Sequence, residues 1–344
     1  MKTKTRDMFD IVGIDTPCID LNISIDQYPG RDASTGIKQL SWQGGGKVST
    51  GLAACARLSA KCAIMGCVGN DVFGRFIIND FKRHGIDTRG LKVTDTSPLS
   101  VVLSERTAAC RTILYKSGAG LHFTPEDINI NMLQAAKYLF ICRADAASSQ
   151  AADIARSAGA KVFIDADWYT EQIIDMLPKI DIFVGSEFFF NGMFAESGLS
   201  IRAAKETFAS FVATNKVFEA NCRKIMSMGP QIVLFTFGER GCIGVCENGF
   251  FHIPAFKVDV VDTVGAGDVF HGAFVTGLLQ GRSTKDAAIF ASAAAAIKCT
   301  RIGGRAGIPC SKTVERFLQD GFIDYTEIDK RAAYYERGLD HENP

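Results

Sequence analysis

Residues 262–281 open with Asp262-Thr-Val-Gly-Ala-Gly-Asp268, a glycine turn closed by an aspartate, and continue as an apolar segment of small residues with helical character. Gly265, Ala266 and Gly267 can turn bare backbone N–H groups toward an anion, because glycine adopts φ > 0 and puts no Cβ in the way of a phosphate. The positive end of the helix dipole adds to that pull. A carboxylate at the same spot, Asp268, would repel phosphate, and is of use there as the acceptor of a proton from an incoming hydroxyl. An anion hole beside a base points to phosphoryl transfer to an alcohol. The same residues also suit a plain helix N-cap, in which Asp268 accepts first-turn N–H groups and does no chemistry.

A second glycine cluster, Gln43-Gly44-Gly45-Gly46-Lys47, stands directly before an amphipathic helix expected over 48–59. It is not a Walker A loop, which would need glycine where Ser41 stands and a hydroxyl where Val48 stands. No dinucleotide-type G-x-G-x-x-G follows the first strand either. The cluster can bring backbone close to a ligand at a helix start, with Lys47 and Thr50 nearby, or serve as a flexible turn. Asp20, in Pro17-Cys-Ile-Asp-Leu-Asn22, can accept hydrogen bonds from two hydroxyls of a polyol, or simply be solvated.

The elements that must position these groups alternate. Short Val/Ile/Phe-rich runs at 10–14, 62–68, 138–142, 161–166, 181–185 and 232–237 read as buried strands. Helical periodicity falls between and after them, at 48–59, 73–84, 149–158, 201–214, 216–228, 267–280, 285–298 and 311–320. Such alternation predicts an α/β fold, a doubly wound and mostly parallel sheet with helices on both faces. Two stretches, about 18–43 and 97–118, are extended with turn signals and carry no crossover helix. They are expected to pair into a small β-sheet lid over one 1–344 domain, or else to form surface hairpins.

Composition narrows the class. The chain has 344 residues, 47% of them hydrophobic, enough for a large core. Its 38 basic and 38 acidic residues balance without blocks of like charge, so neither nucleic acid nor an anionic membrane is favoured as a partner. No apolar leader precedes the first strand, and a cytoplasmic location is expected. The 11 cysteines are scattered through apolar patterns, the usage of reduced buried thiols. Cys242 and Cys246, the closest pair, read as strand core residues rather than zinc ligands. The tail after Asp320 shows no functional signal.

Taken in order, an Asp after the first strand, Gly-Gly before a helix, Gly66-Cys-Val-Gly69-Asn-Asp71-Val-Phe-Gly74 and Asp262-Thr-Val-Gly-Ala-Gly-Asp268 resemble the PfkB/ribokinase family of carbohydrate kinases, from about Phe9 to Leu318. The resemblance implies an ATP-dependent sugar kinase with Asp268 as catalytic base and Gly265, Ala266 and Gly267 as anion hole. It implies sugar contacts at Asp20, Gly45, Gly46 and Thr50, the last standing where members usually carry asparagine. Nucleotide contacts are implied at Ser186, Thr236, Gly238, Gly241 and Thr263, and metal contacts at Glu187 and Asp262. ATP and Mg²⁺ are the implied cofactors, with K⁺ as a further candidate held between Asp262 and the segment from Ala293 to Gly304. Departures occur where the family's Asn-x-x-Glu element falls, at Ser186-Glu-Phe-Phe189, and at Asp165-Ala-Asp167-Trp168. A nucleoside kinase of the same fold, with Trp42 stacking on a base, and a catalytically silent sugar or nucleotide sensor are the alternatives. A homodimer through the lid edges is expected from analogy of fold alone.

Overall fold

The structure, a computed structural model, describes residues 8–107, 110–194, 208–214 and 216–339. Its strands are β1 (Phe9–Asp15), β2 (Cys18–Ile25), β3 (Ile37–Gly45), β4 (Cys62–Gly69), β5 (Asp87–Thr94), β6 (Leu99–Glu105), β7 (Cys110–Lys116), β8 (Ala136–Ile141), β9 (Lys161–Ala166), β10 (Ile182–Ser186), β11 (Ile232–Thr236), β12 (Cys242–Cys246) and β13 (Gly249–Ile253). The helices up to the middle of the chain are α1 (Lys47–Arg57), α2 (Val72–Arg83), α3 (Ile130–Leu133), α4 (Ala146–Ser157), α5 (Glu171–Met176) and α6 (Glu187–Met193). Then come α7 (Phe208–Thr214), α8 (Val217–Met226), α9 (Ala266–Leu279), α10 (Thr284–Lys298), α11 (Ser311–Asp320) and α12 (Thr326–Glu336).

Nine strands form one sheet in the order β13-β12-β11-β10-β9-β8-β1-β4-β5. Every pairing from β11 to β5 is parallel, and β12 and β13 close one edge as antiparallel neighbours. Because β1 leads to β4 on one side and lies against β8 on the other, the strand order reverses at the β1/β8 boundary. In open α/β sheets ligands bind beyond the carboxyl ends of the strands at such a point.

Alternation along each buried strand supplies both faces. On β1, Ile11 enters the core under α1, α9 and α10, whereas Val12 enters the core under α4 and α8. The expected strands at 10–14, 62–68, 138–142, 161–166, 181–185 and 232–237 are all present within a residue or two at their ends. β5 was not expected, since its exposed polar residues break the apolar run at this sheet edge. Of the expected helix 201–214, the part at 208–214 is helical and the rest lies outside the described residues.

The two extended segments pair with each other as a separate four-stranded sheet, β3-β2-β6-β7. Asp71, in the first glycine signature, fixes where this sheet begins. Its carboxylate caps α2 through Gly74 N at 2.7 Å and also accepts Ser97 N at 2.8 Å and the Ser97 hydroxyl at 2.9 Å.

The tail folds back as α12. Ile328, Ala332 and Tyr335, spaced to share one helix face, are buried in the core. Tyr335 donates its hydroxyl proton to Asp80 at 2.6 Å, and Asp80 is paired with Arg305; all three are buried. Burial pushes the Asp80 carboxyl up, yet Arg305, His84 and the Tyr335 hydroxyl together hold it below the usual carboxylate range. His84 sits 3.0 Å from the Tyr335 oxygen, and burial pushes it down to about 3. Both groups act in the same sense. The stability they confer is present above a pH of about 6.5 and is lost as pH falls through the depressed values. Tyr335→Phe, which leaves the carboxylate short of a donor, should lower the unfolding free energy by about 1–3 kcal/mol in urea denaturation at neutral pH. An unchanged midpoint would show that the Tyr335 hydroxyl carries no weight in the fold.

Candidate active site

The second glycine signature forms the start of α9. Gly265 is its N-cap with φ 72° and ψ 6°, and a Cβ there would lie 2.7 Å from the Gly304 Cα. Only glycine meets both demands. A Cβ on Gly267 would meet no atom within 4 Å, so this face of the turn opens outward. Asp268 follows in the first turn, half-buried.

The Gln43–Lys47 glycine cluster forms the start of α1 in the same place. Gly46 is the N-cap and has no side chain to cap with. Asp15, the last residue of β1, does that work instead, accepting Ser49 N at 2.9 Å and the Ser49 hydroxyl at 2.8 Å. Asp15 is buried and its capping of α1 was missed by the sequence reading; its signal was an acidic residue at the carboxyl end of the first parallel strand.

Four carboxylates gather here. Asp165, at the end of β9, has its Oδ2 2.9 Å from His271 Nδ1, one helical turn beyond Asp268 on α9. Both side chains are at most 2% exposed, and apart from this contact neither Asp165 oxygen has a donor among the described residues. Asp167 pairs with Lys47, the first residue of α1. Burial first, then the negative charges of Asp165, Asp167 and Asp15, push the Asp268 carboxyl well above the usual carboxylate range, and Lys47 opposes them. Burial works against charge on Asp165 too, but His271 and Lys47 hold it low. The cluster therefore contains one carboxyl held ionised and one tuned toward basicity, which is how one site separates structural from proton-accepting acids.

Asp20 lies on β2 across from Gln43 and faces the glycine cluster, since a Cβ on Gly45 would come within 2.3 Å of its carboxylate. Burial raises its pKa, while the Cys18 thiol at 3.3 Å, Arg305 and Ser100 pull it back. Thr50 is buried on α1, close to Gly304. Asp20, Gly45, Gly46 and Thr50 are thus brought together beside the α9 turn. Gln43 anchors this wall, donating to the Ile302 carbonyl at 2.8 Å and accepting Arg305 N at 2.7 Å. Trp42 is occupied in stacking on Phe73 at 6.2 Å between ring centroids.

The remaining expected residues line the far side of the sheet ends. Ser186 caps α6 and donates its hydroxyl to the Asp167 carbonyl at 2.6 Å. Thr236 ends β11 opposite Ser186, and Gly238–Arg240 form a single tight turn closed by Gly241 at φ 88°. Glu187 is paired with Arg240 of that turn. Asp262 is buried with Val264 N at 3.0 Å and the Ser104 hydroxyl at 3.2 Å on one oxygen and Gly303 N at 2.8 Å on the other. Among the described residues no group of three or more His, Cys, Asp or Glu side chains could hold a metal ion. Asp262 is engaged in holding its loop, and Glu187 is not free while Arg240 holds it. Thr263 accepts Arg111 of β7 at 3.3 Å, so Ser104 and Arg111 both tie the small sheet to the turn.

Trp168 and Phe188 were not singled out as a pair, because they are adjacent only in space. They stack at 4.6 Å and 21°, both exposed, beside Asp167 and Glu187, where the sequence departs from the family pattern.

Residues 8–310 match the pfkB family carbohydrate kinase. The chain is 30% identical over 298 residues to a ribokinase of Haemophilus influenzae, covering 85% of this chain and 92% of that one. It is 25% identical over 338 residues to a 5-dehydro-2-deoxygluconokinase of Clostridium perfringens, covering 94% and 97%. The structure of Arabidopsis thaliana ribokinase complexed with ribose and ATP superposes with a TM-score of 0.73 at 22% identity, over 91% of this chain and 99% of that one. With the family match over residues 8–310 and a relative 30% identical over most of both chains, the chain belongs to the pfkB family of carbohydrate kinases, phosphotransferases acting on sugar hydroxyls.

Proposed function

We propose that the chain transfers the γ-phosphoryl group of ATP to a hydroxyl of a sugar or sugar-like acid, with Asp268 as the base. The observation that carries this reading is the position of Asp268. It is one turn into a helix whose N-cap is left-handed, half-buried, and raised in basicity by burial and by neighbouring carboxylates. A base works best when its pKa approaches the operating pH. Asp268 would take the hydroxyl proton while the amides of Gly265, Ala266 and Gly267 receive the charge that grows on the transferring group. Asp20, Gly45, Gly46 and Thr50 would hold the sugar. Ser186, Thr236, Gly238, Gly241 and Thr263 would face the nucleotide.

Mg²⁺, when bound with ATP, supplies charge neutralisation on the phosphates, and it commonly keeps several waters and takes few protein ligands. Glu187 would have to leave Arg240 to approach it. Lys47 stands among the carboxylates as the cation that moderates them. The substrate classes named for the relatives, ribose and 5-dehydro-2-deoxygluconate, are the first to try here. A second copy would sit along β7, an edge strand whose Ile113, Leu114 and Tyr115 are more than half exposed.

Coupled ADP release with Mg-ATP against a panel of sugars, sugar acids and nucleosides tests the reading. Asp268→Asn should lower kcat by about 10²- to 10⁴-fold. Its Tm should not fall, because one charge is removed from a crowded acidic cluster. Full activity in that variant would remove Asp268 from the role of base.

Lys47→Met separates the field from the base. With the opposing cation gone, the acidic limb of the kcat/KM profile should move to higher pH, because Asp268 then ionises less readily. A limb that stays in place, with activity merely scaled down, would show that Lys47 acts on the phosphates alone.

A further inference from the structure

The family resemblance implies a potassium ion between Asp262 and the segment from Ala293 to Gly304, and the residues found there do not fit one. Lys298, the last residue of α10, is 0% exposed. Its ammonium donates to the Asp262 carbonyl oxygen at 3.0 Å. That carbonyl is the last backbone oxygen before Thr263 and the anion turn. The surrounding backbone is stitched across the same gap. Val261 N and Asp262 N both reach the Cys299 carbonyl, at 2.8 and 3.0 Å, and Gly303 N reaches the Asp262 carboxylate at 2.8 Å.

Burying an ammonium is costly unless its charge is used. Lysine is rarely buried in full, and here it closes the helix that packs most extensively on α9, the helix that carries Asp268. The Asp262 carboxylate is taken up by Ser104, Val264 N and Gly303 N, so the ammonium meets the residue through its carbonyl. Lys298 also lies at the C-terminal end of α10, where a cation is favoured by the helix dipole.

We propose that Lys298 supplies, as part of the chain, the monovalent positive charge that fixes the Asp262 carbonyl and through it the 263–267 turn, so that the enzyme needs no potassium. Lys298 is a positioning residue in this account, acting on the turn and not on substrate. The proposal rests on the kinase reading for its kinetic consequence, but its structural consequence can be read without nucleotide or sugar.

The test compares the wild type, Lys298→Ala and Lys298→Met in potassium, ammonium, sodium and choline chloride at constant ionic strength. Three quantities are read: Tm of the ligand-free protein, ATP Kd by calorimetry, and kcat with the best sugar. The wild type should show all three within about two-fold, or within a degree for Tm, across the four salts. Lys298→Ala should lose about ten-fold or more in ATP affinity or kcat and have a lower Tm in choline. Potassium or ammonium should restore them, since a cation that binds only the native state stabilises it. Lys298→Met, whose side chain fills the space without charge, should be impaired and not rescued. Selective stimulation of the wild type by potassium would overturn the proposal, as would a folded Lys298→Ala variant indifferent to salt and equal to the wild type. Should Lys298→Ala fail to fold, the wild-type comparison alone still decides, because it needs no variant. Failure to turn over any sugar would count against the kinase reading only, since the salt dependence of Tm stands apart from it.

Discussion

Helices α1 and α9 cross with almost no space between their backbones. A Cβ on Gly272 would lie 2.1 Å from the Gly51 carbonyl oxygen, and one on Gly51 would strike the Phe140 ring at 2.5 Å. This contact brings two helix N-termini, one carrying Gly46 and Lys47 and the other Gly265 to Asp268, to the same end of the parallel sheet. Two positive dipole ends then converge where the strand order reverses. Widening the crossing by a side chain would part the α1 start, with Gly46 and Lys47, from Asp268, so the small residues of α9 are a geometric requirement of this arrangement. The loop at 302–306 locks the arrangement from behind, through Gln43, Gly304 and the buried Arg305–Asp80 pair.

The electrostatics follow from that crowding. Asp15, Asp165, Asp167 and Asp268 cannot all be close, buried and ionised without compensation. Asp15 accepts the first-turn donors of α1, Asp165 leans on His271, and Asp167 on Lys47. Asp268 has no equivalent partner among the described residues, and burial, with the neighbouring charges added, raises its basicity. A cluster of this kind stores unfavourable interactions, the usual conflict between stability and function.

The parallel sheet was legible because buried strands are continuous apolar runs, and the glycine signatures because glycine at a tight turn has few substitutes. The small sheet was legible from turn signals without crossover helices. What escaped was mostly set by tertiary partners. β5 is an exposed edge with no apolar pattern, and Asp15 gains meaning only from Ser49 across a loop. Lys298 looks in sequence like an ordinary basic residue at a helix end, and only burial distinguishes it. The tail was different, for Ile328, Ala332 and Tyr335 do carry helical spacing, hidden by the charges around them. Ser186 and Glu187 were expected at the nucleotide and the metal by resemblance alone, and their contacts with Asp167 and Arg240 could not be read from the chain.

The account turns on phosphoryl transfer from ATP to a sugar hydroxyl at the α9 turn. Its most direct test is to follow the label of γ-³²P-ATP with the purified wild-type protein and Mg²⁺ in the presence of ribose, 5-dehydro-2-deoxygluconate and related polyols. Label appearing in a sugar phosphate, in step with ADP, is the predicted result. Label that stays in ATP, or appears only as inorganic phosphate whatever sugar is present, would contradict it.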